Sequence, residues 1–231
     1  MPWDNVLAVG LLLGLVGLAI LIVLWPGDKH GRRLLERWGV PDPDAGEVMV
    51  AVRYLKRRRL WYPWLFLALP PILGDTTVSS ILAALLLGGL IAELLAQRAS
   101  RGPRREAVLA RRTLLDVVPA WALVLSGLAS AGAIVHLALT ARWTLLAIAA
   151  GTTVVCWAIT LLAVRRPPTG EARVDLALRQ RSARVAIGLG IAGCSAIGWP
   201  EGTLGSLLAV VAGLAAFLAV TAPLKRQPAA A

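Results

Sequence analysis

The residues that could do chemistry are few and stand apart from one another. Glu93, Asp116 and His136 are ionisable side chains within or at the edges of long apolar runs. Burying charge in a membrane is costly, so such residues are the first places to seek an ion, proton or substrate site. Glu93 lies five residues before Arg98, and the spacing predicts an interfacial carboxylate paired with Arg98 or Gln97. Asp116 follows Arg112 by four, the spacing of a helical ion pair, and a first-turn position also suits a carboxylate. His136 has no second His, Cys or carboxylate at ligand spacing, so no metal site is expected there. Cys156 and Cys194 fall inside apolar runs and are expected to be buried free thiols. Ser126, Ser130 and Ser195 have no recognisable base and are expected to bond to helix carbonyls. Residues 188–193 spell G-x-G-x-x-G, but no strand precedes them and no acidic residue follows about 20 positions on, which excludes a dinucleotide fold. The chain carries no P-loop, H-E-x-x-H or G-x-S-x-G string. The expectation is a protein that is not an enzyme and takes no cofactor.

The larger chemical signal is charge. Lys and Arg number 24 against 13 Asp and Glu, a formal net charge of +11. These cations sit between apolar runs, which favours an anionic membrane surface as partner and not nucleic acid. The densest group is Arg53, Lys56, Arg57, Arg58 and Arg59. Pro26-Gly27 ends an apolar run, residues 30–38 suit a short helix, and Gly39 suits its stop. Asp44 with Glu47 three residues on reads as a capping box opening a second helix. Val48, Val52 and Leu55 share one face of that helix, and the five cations crowd its end. The pattern predicts an amphipathic helix on an anionic leaflet, with Arg53 and Lys56 through Arg59 as lipid or partner contacts.

The elements that must position these residues are apolar. The chain is 58% hydrophobic and 16% charged over 231 residues, which excludes a disordered chain. Two cysteines exclude a disulfide-rich secreted domain. Seven apolar segments run over roughly 6–25, 60–74, 78–97, 114–137, 143–164, 185–199 and 204–222. About 20 helical residues cross a bilayer core of ~30 Å. The second and sixth segments are short, and the second holds Pro63, Pro70 and Pro71, so it is expected to be kinked or to form a re-entrant hairpin with the third. The N-terminal MPWDN has no basic residue, so the first run is read as a retained helix and not a signal peptide.

Of the 24 cations, 23 lie on one set of connectors, which places the N-terminus outside and the C-terminus in the cytoplasm. The reading is an all-α, polytopic integral membrane helix bundle of about seven transmembrane helices, N-out and C-in. Its parts are an N-terminal helix (1–25), a basic amphipathic cytoplasmic segment (26–59), a first hairpin (60–97), a cytoplasmic loop (98–113), a second hairpin (114–164), a cytoplasmic loop (165–184), a third hairpin (185–222) and a cytoplasmic tail (223–231). Trp3, Trp143 and Trp199 fall at outer ends and Trp25, Trp61 and Trp64 at inner ends, as aromatic belts require. Residues 52–63 and 108–119 align with both prolines in register, suggesting a duplicated hairpin. Small residues spaced by four (Gly10 and Gly14; Ala186, Gly190 and Cys194; Gly205, Ala209 and Gly213) predict close helix contacts.

Two stretches, GVPDPDAGEVMVAVRYLKRRRLWYP at 39–63 and DLALRQRSARVAIGLGIAG at 175–193, resemble multi-pass membrane proteins of high-GC Gram-positive bacteria. That resemblance implies a bacterial cytoplasmic membrane as location and no chemistry. The expected function is a non-catalytic membrane subunit or scaffold whose basic face engages anionic lipid and a membrane or cytoplasmic protein partner. The alternative is a small transporter or transporter subunit, suggested by the proline-broken second segment and by Gly88-Gly89 beside Glu93.

Overall fold

A computed structural model describes residues 3–23, 25–73, 78–96, 113–165, 172–200 and 203–222. These residues are helical with no strand among them: α1 (Trp3–Val23), α2 (Asp28–Arg37), α3 (Ala45–Leu60), α4 (Tyr62–Leu73), α5 (Val78–Ala96), α6 (Ala120–Leu139), α7 (Trp143–Arg165), α8 (Ala172–Ile197) and α9 (Leu204–Thr221). A short 3₁₀ turn, Leu114–Asp116, precedes α6.

The hub is α8. It packs against α5, α6, α7 and α9 and touches α2 and α3. Small residues make this possible. A Cβ added at Gly190 would come within 2.6 Å of Cys156 Sγ on α7, and one at Gly188 within 2.8 Å of Phe217 on α9. From the other side, a Cβ at Gly213 of α9 would lie 2.7 Å from Ser195. The G-x-G-x-x-G string is therefore a helix-packing surface. Of the small residues singled out by spacing, Gly190 and Gly213 sit at tight contacts, whereas a Cβ at Gly205 would meet nothing nearer than 3.6 Å.

Among the described residues, three helices are long and apolar enough to cross a membrane: α6, α7 and α9. At 1.5 Å per residue they reach ~27 to ~35 Å. Each turns one narrow stripe inward. On α6 the buried residues are Ala122, Ser126, Ser130, Ala133 and Leu137, at helical spacing, while Val124, Leu128 and Val135 point out. Only 22–28% of the residues in these helices' most apolar stretches are buried. So much outward apolar surface calls for a lipid or protein cover. In lipid it is not the hydrophobic effect but close packing that joins helices, hence the small inward residues.

Among the other apolar segments, α5 runs over the 19 residues Val78–Ala96. Only 12 residues make up α4, with Pro63 in the first turn, where its missing N–H costs no helical bond. It seats on α1 and α5 through glycines: a Cβ at Gly17 would be 2.9 Å from Pro63 Cα, and one at Gly88 2.6 Å from Phe66. In α8, residues 172–184, read above as part of a loop, are the first half of the hub helix. Their apolar residues Val174, Ala177 and Leu178 join Leu35, Val40, Ala51, Tyr54, Leu55 and Ala96 in one buried cluster. That cluster fastens α2 and α3 to the end of the bundle. The turn at Asp75-Thr76-Thr77, residues 98–112 and the tail from 223 lie outside the described residues.

The α2–α3 hairpin follows its sequence signals closely. Gly39 has φ +89°, a left-handed conformation that glycine adopts without a Cβ clash. Asp44 Oδ1 accepts from the Glu47 N–H (2.8 Å), and Glu47 Oε2 accepts from the Asp44 N–H (3.0 Å), closing the capping box. Pro119 caps the start of α6, so both prolines of the proposed repeat open a helix. Much of the second copy, 108–112, falls outside the described residues.

Candidate functional site

The site forms where α3, α5 and α8 meet. Tyr54 and Arg58 are one helical turn apart on the same side of α3. Glu93 comes from the last turn of α5, and Arg181 and Ser182 from the first half of α8. Glu93 is completely buried. Its Oε2 lies 3.0 Å from Arg58 Nε and 3.7 Å from Arg181 Nη1. Its Oε1 accepts from the hydroxyls of Tyr54 and Ser182, the latter at 2.5 Å. Arg181 Nη1 also donates to the Tyr54 hydroxyl (2.5 Å), and its guanidinium lies 5.1 Å from the Tyr54 ring centre. Burial is the main influence on the Tyr54 phenol and pushes it above its ordinary value, against the pull of Arg181. Tyr54 therefore stays protonated and able to donate.

This geometry adds to the sequence reading of Glu93. It is completely buried, and its described partners are 35 to 89 positions away in sequence; Gln97 and Arg98, the partners its spacing suggests, lie outside the described residues. Arg58 turns toward Glu93 and keeps its side chain 16% exposed. Arg53, Lys56 and Arg57 stay on the exposed side, and Arg59 is half-buried. Lys56 sits 5.5 Å from the Trp25 ring centre, and Arg53 Nη2 approaches Met49 Sδ at 3.8 Å.

Asp116 and His136 do not join the cluster. Asp116 Oδ2 accepts from the Thr113 N–H at 2.6 Å and from its hydroxyl at 3.0 Å. These bonds hold its carboxyl below the ordinary aspartate range. Its pairing is thus to Thr113, three residues back, while Arg112 lies outside the described residues. The His136 ring packs against Trp199, centroids 4.2 Å apart, and Arg142 is exposed. No group of three or more His, Cys, Asp or Glu converges among the described residues. Cys156 and Cys194 are free and buried. Ser130 and Thr153 each approach Cys194 Sγ at 3.7 Å. Helix-carbonyl bonding falls to threonines instead: Thr152, Thr153, Thr160 and Thr221 each donate to the carbonyl four residues back.

A second buried charge pair supports the first half of α8. Arg179 Nε lies 2.5 Å from Asp175 Oδ2, and its Nη1 donates to the carbonyls of Ala163 and Val164 at 3.1 and 3.4 Å. It thereby satisfies end carbonyls of α7 that have no intrahelical partner. Arg184 Nε donates to the Val117 carbonyl (3.2 Å) and Gln180 to that of Asp116 (3.2 Å), tying α8 to the turn before α6. The Asp175–Arg179 spacing was a readable helical pair, and it marks 172–184 as helix.

Chemically, the cluster is a lock. Two hydroxyls donate to Oε1 of one carboxylate, and two cations face its Oε2, which is buried with no hydrogen bond among the described residues. Protonating Glu93 would leave two guanidiniums facing each other without a counter-charge. A half-open cavity of about 180 Å³ lies elsewhere, lined by residues such as Leu69, Leu87, Leu90, Ile148 and Val155, and it is apolar except at Thr152. Glu93 is not among its walls. No protein-family model, curated protein or solved structure matches the chain.

Proposed function

We propose that the protein is a non-catalytic integral membrane subunit or scaffold. In this reading it is a seven-helix bundle of the bacterial cytoplasmic membrane, N-out and C-in, with a basic cytoplasmic layer that engages anionic lipid and a protein partner. The observation that carries the proposal is the division of labour on α3. One side of the helix is pinned to the bundle by Glu93, and the other presents Arg53, Lys56 and Arg57 outward. A helix held in that way offers its cations in a fixed array. Each cation near an anionic leaflet contributes ~1 kcal/mol to binding. The two guanidiniums that face Glu93 favour this reading over transport, which calls for a carboxylate able to bind and release a cation or proton.

The test is to change Arg53, Lys56 and Arg57 together to Gln in the full chain and purify it in native lipids. The expected result is a normally folded protein that loses most of its anionic lipid and any stoichiometric partner seen with the wild type by mass spectrometry. Unchanged total anionic lipid and partner retention would contradict the proposal.

A further inference from the structure

The charges around Glu93 do not balance. Arg58 and Arg181 already share this one carboxylate. Arg59 adds a third guanidinium close enough to feel both. Its Nη1 is buried with no hydrogen-bond partner among the described residues. Burial, and then the like charges of Arg58 and Arg181, lower the Arg59 guanidinium against the opposing effect of Tyr62. Among the described residues the local excess is two positive charges, since Asp175 is engaged by Arg179 and Glu47 by the Asp44 cap. A buried donor without an acceptor is costly, and so is uncompensated like charge.

The three guanidiniums are not sealed off. The side chains of Arg58 and Arg181 keep 16% and 11% exposure, and Arg59 is half-buried. Beside them, where α3 passes into α4, Trp61 and Trp64 are exposed and Tyr62 lies under Arg58 at 5.7 Å. Exposed indoles next to clustered cations mark the headgroup layer. Planar guanidinium forks suit the oxygens of a phosphate better than a diffuse surface potential does.

We propose that Arg58, Arg59 and Arg181 form a discrete binding site for one phosphate group, of a lipid headgroup or of free phosphate. Glu93 positions two of the three arginines, and the bound phosphate supplies the missing negative charge and an acceptor for Arg59. The site deepens the anionic-lipid reading above, from adsorption to a layer to recognition of a single group.

The experiment uses the full chain in phosphatidylcholine nanodiscs. Phosphatidic acid is added at rising mole fraction, and retained lipid is counted by native mass spectrometry. A parallel series adds inorganic phosphate. The wild type is expected to saturate at one phosphatidic acid per chain. Arg59→Gln, which removes no hydrogen bond seen among the described residues, is expected to keep its melting temperature and weaken that binding at least tenfold. The triple Gln variant of Arg53, Lys56 and Arg57 is expected to lose adsorption to phosphatidylglycerol vesicles while holding phosphatidic acid within twofold. Displacement of the lipid by millimolar phosphate would assign the site to the free ion, and resistance to it would assign the site to the lipid. Non-saturating binding, or equal binding by folded Arg59→Gln and wild type, would overturn the site. Equal wild-type adsorption to neutral and anionic vesicles would instead overturn the broader surface reading.

Discussion

Along α6, a stripe of small residues faces α8 and large aliphatic residues face outward; at the α3–α5–α8 junction, charges face inward and are held by one another. The two regions are stabilised by different physics. Around α6, α7 and α9, lipid is as apolar as the protein, so association depends on how closely backbones approach. At the junction, a buried carboxylate has given up its water and two guanidiniums most of theirs, and the arrangement holds only while each partner is present. The first region should therefore be sensitive to volume and the second to charge.

The largest effect is expected from Glu93→Ala. It leaves Arg58 and Arg181 buried without a counter-charge, at a cost of about 3–5 kcal/mol. Thermal unfolding in detergent checks this. A loss below about 1 kcal/mol would place the junction in the same class as an exposed ion pair. Glycine substitutions should show the opposite sensitivity. Gly213→Ala puts a methyl 2.7 Å from Ser195 on α8, an overpacking expected to cost about 1–3 kcal/mol. Gly127→Ala, with nothing within 4 Å on the outward side of α6, is expected to stabilise by about 0.5–1 kcal/mol through helix propensity. Equal effects at the two sites would dissolve the distinction between inner stripe and outer face. The smallest effect concerns acid. The Asp116 carboxyl is held below its ordinary range by Thr113, so its contribution is fully present above the ordinary aspartate value and lost as pH falls through the depressed folded value. Asp116→Asn should flatten that acid-side slope in a pH-resolved unfolding series. An unaltered slope would remove Asp116 from the account.

How far the sequence reaches follows the same division. The outer helices were legible because length and hydropathy are local properties, and so was the α2–α3 hairpin, whose Gly39 and Asp44–Glu47 signals act over a few residues. Helix α8 was misread because Asp175, Arg179, Arg181 and Arg184 look like a solvated connector. Their burial depends on partners from other elements: Glu93, Tyr54, and carbonyls at Ala163, Val164 and Val117. Glu93 itself stood out as an ionisable residue in an apolar run. Its true partners did not, since nothing local connects position 93 with 54, 58, 181 and 182. Arg58 was grouped with its basic neighbours because a run of four cations hides which one faces inward; the one-turn spacing from Tyr54, on the helix side that carries Ala51 and Leu55, was the available clue.

The central claim is that Glu93 pins the basic helix to the bundle. Hydrogen exchange of residues 45–60, read by mass spectrometry on the full chain in nanodiscs, tests it most directly. The wild type is expected to show strong protection across α3, and Glu93→Gln is expected to lose that protection there while α6, α7 and α9 remain protected. If α3 exchanges identically in the two proteins, the helix is held by something other than this carboxylate and the account of the junction is wrong.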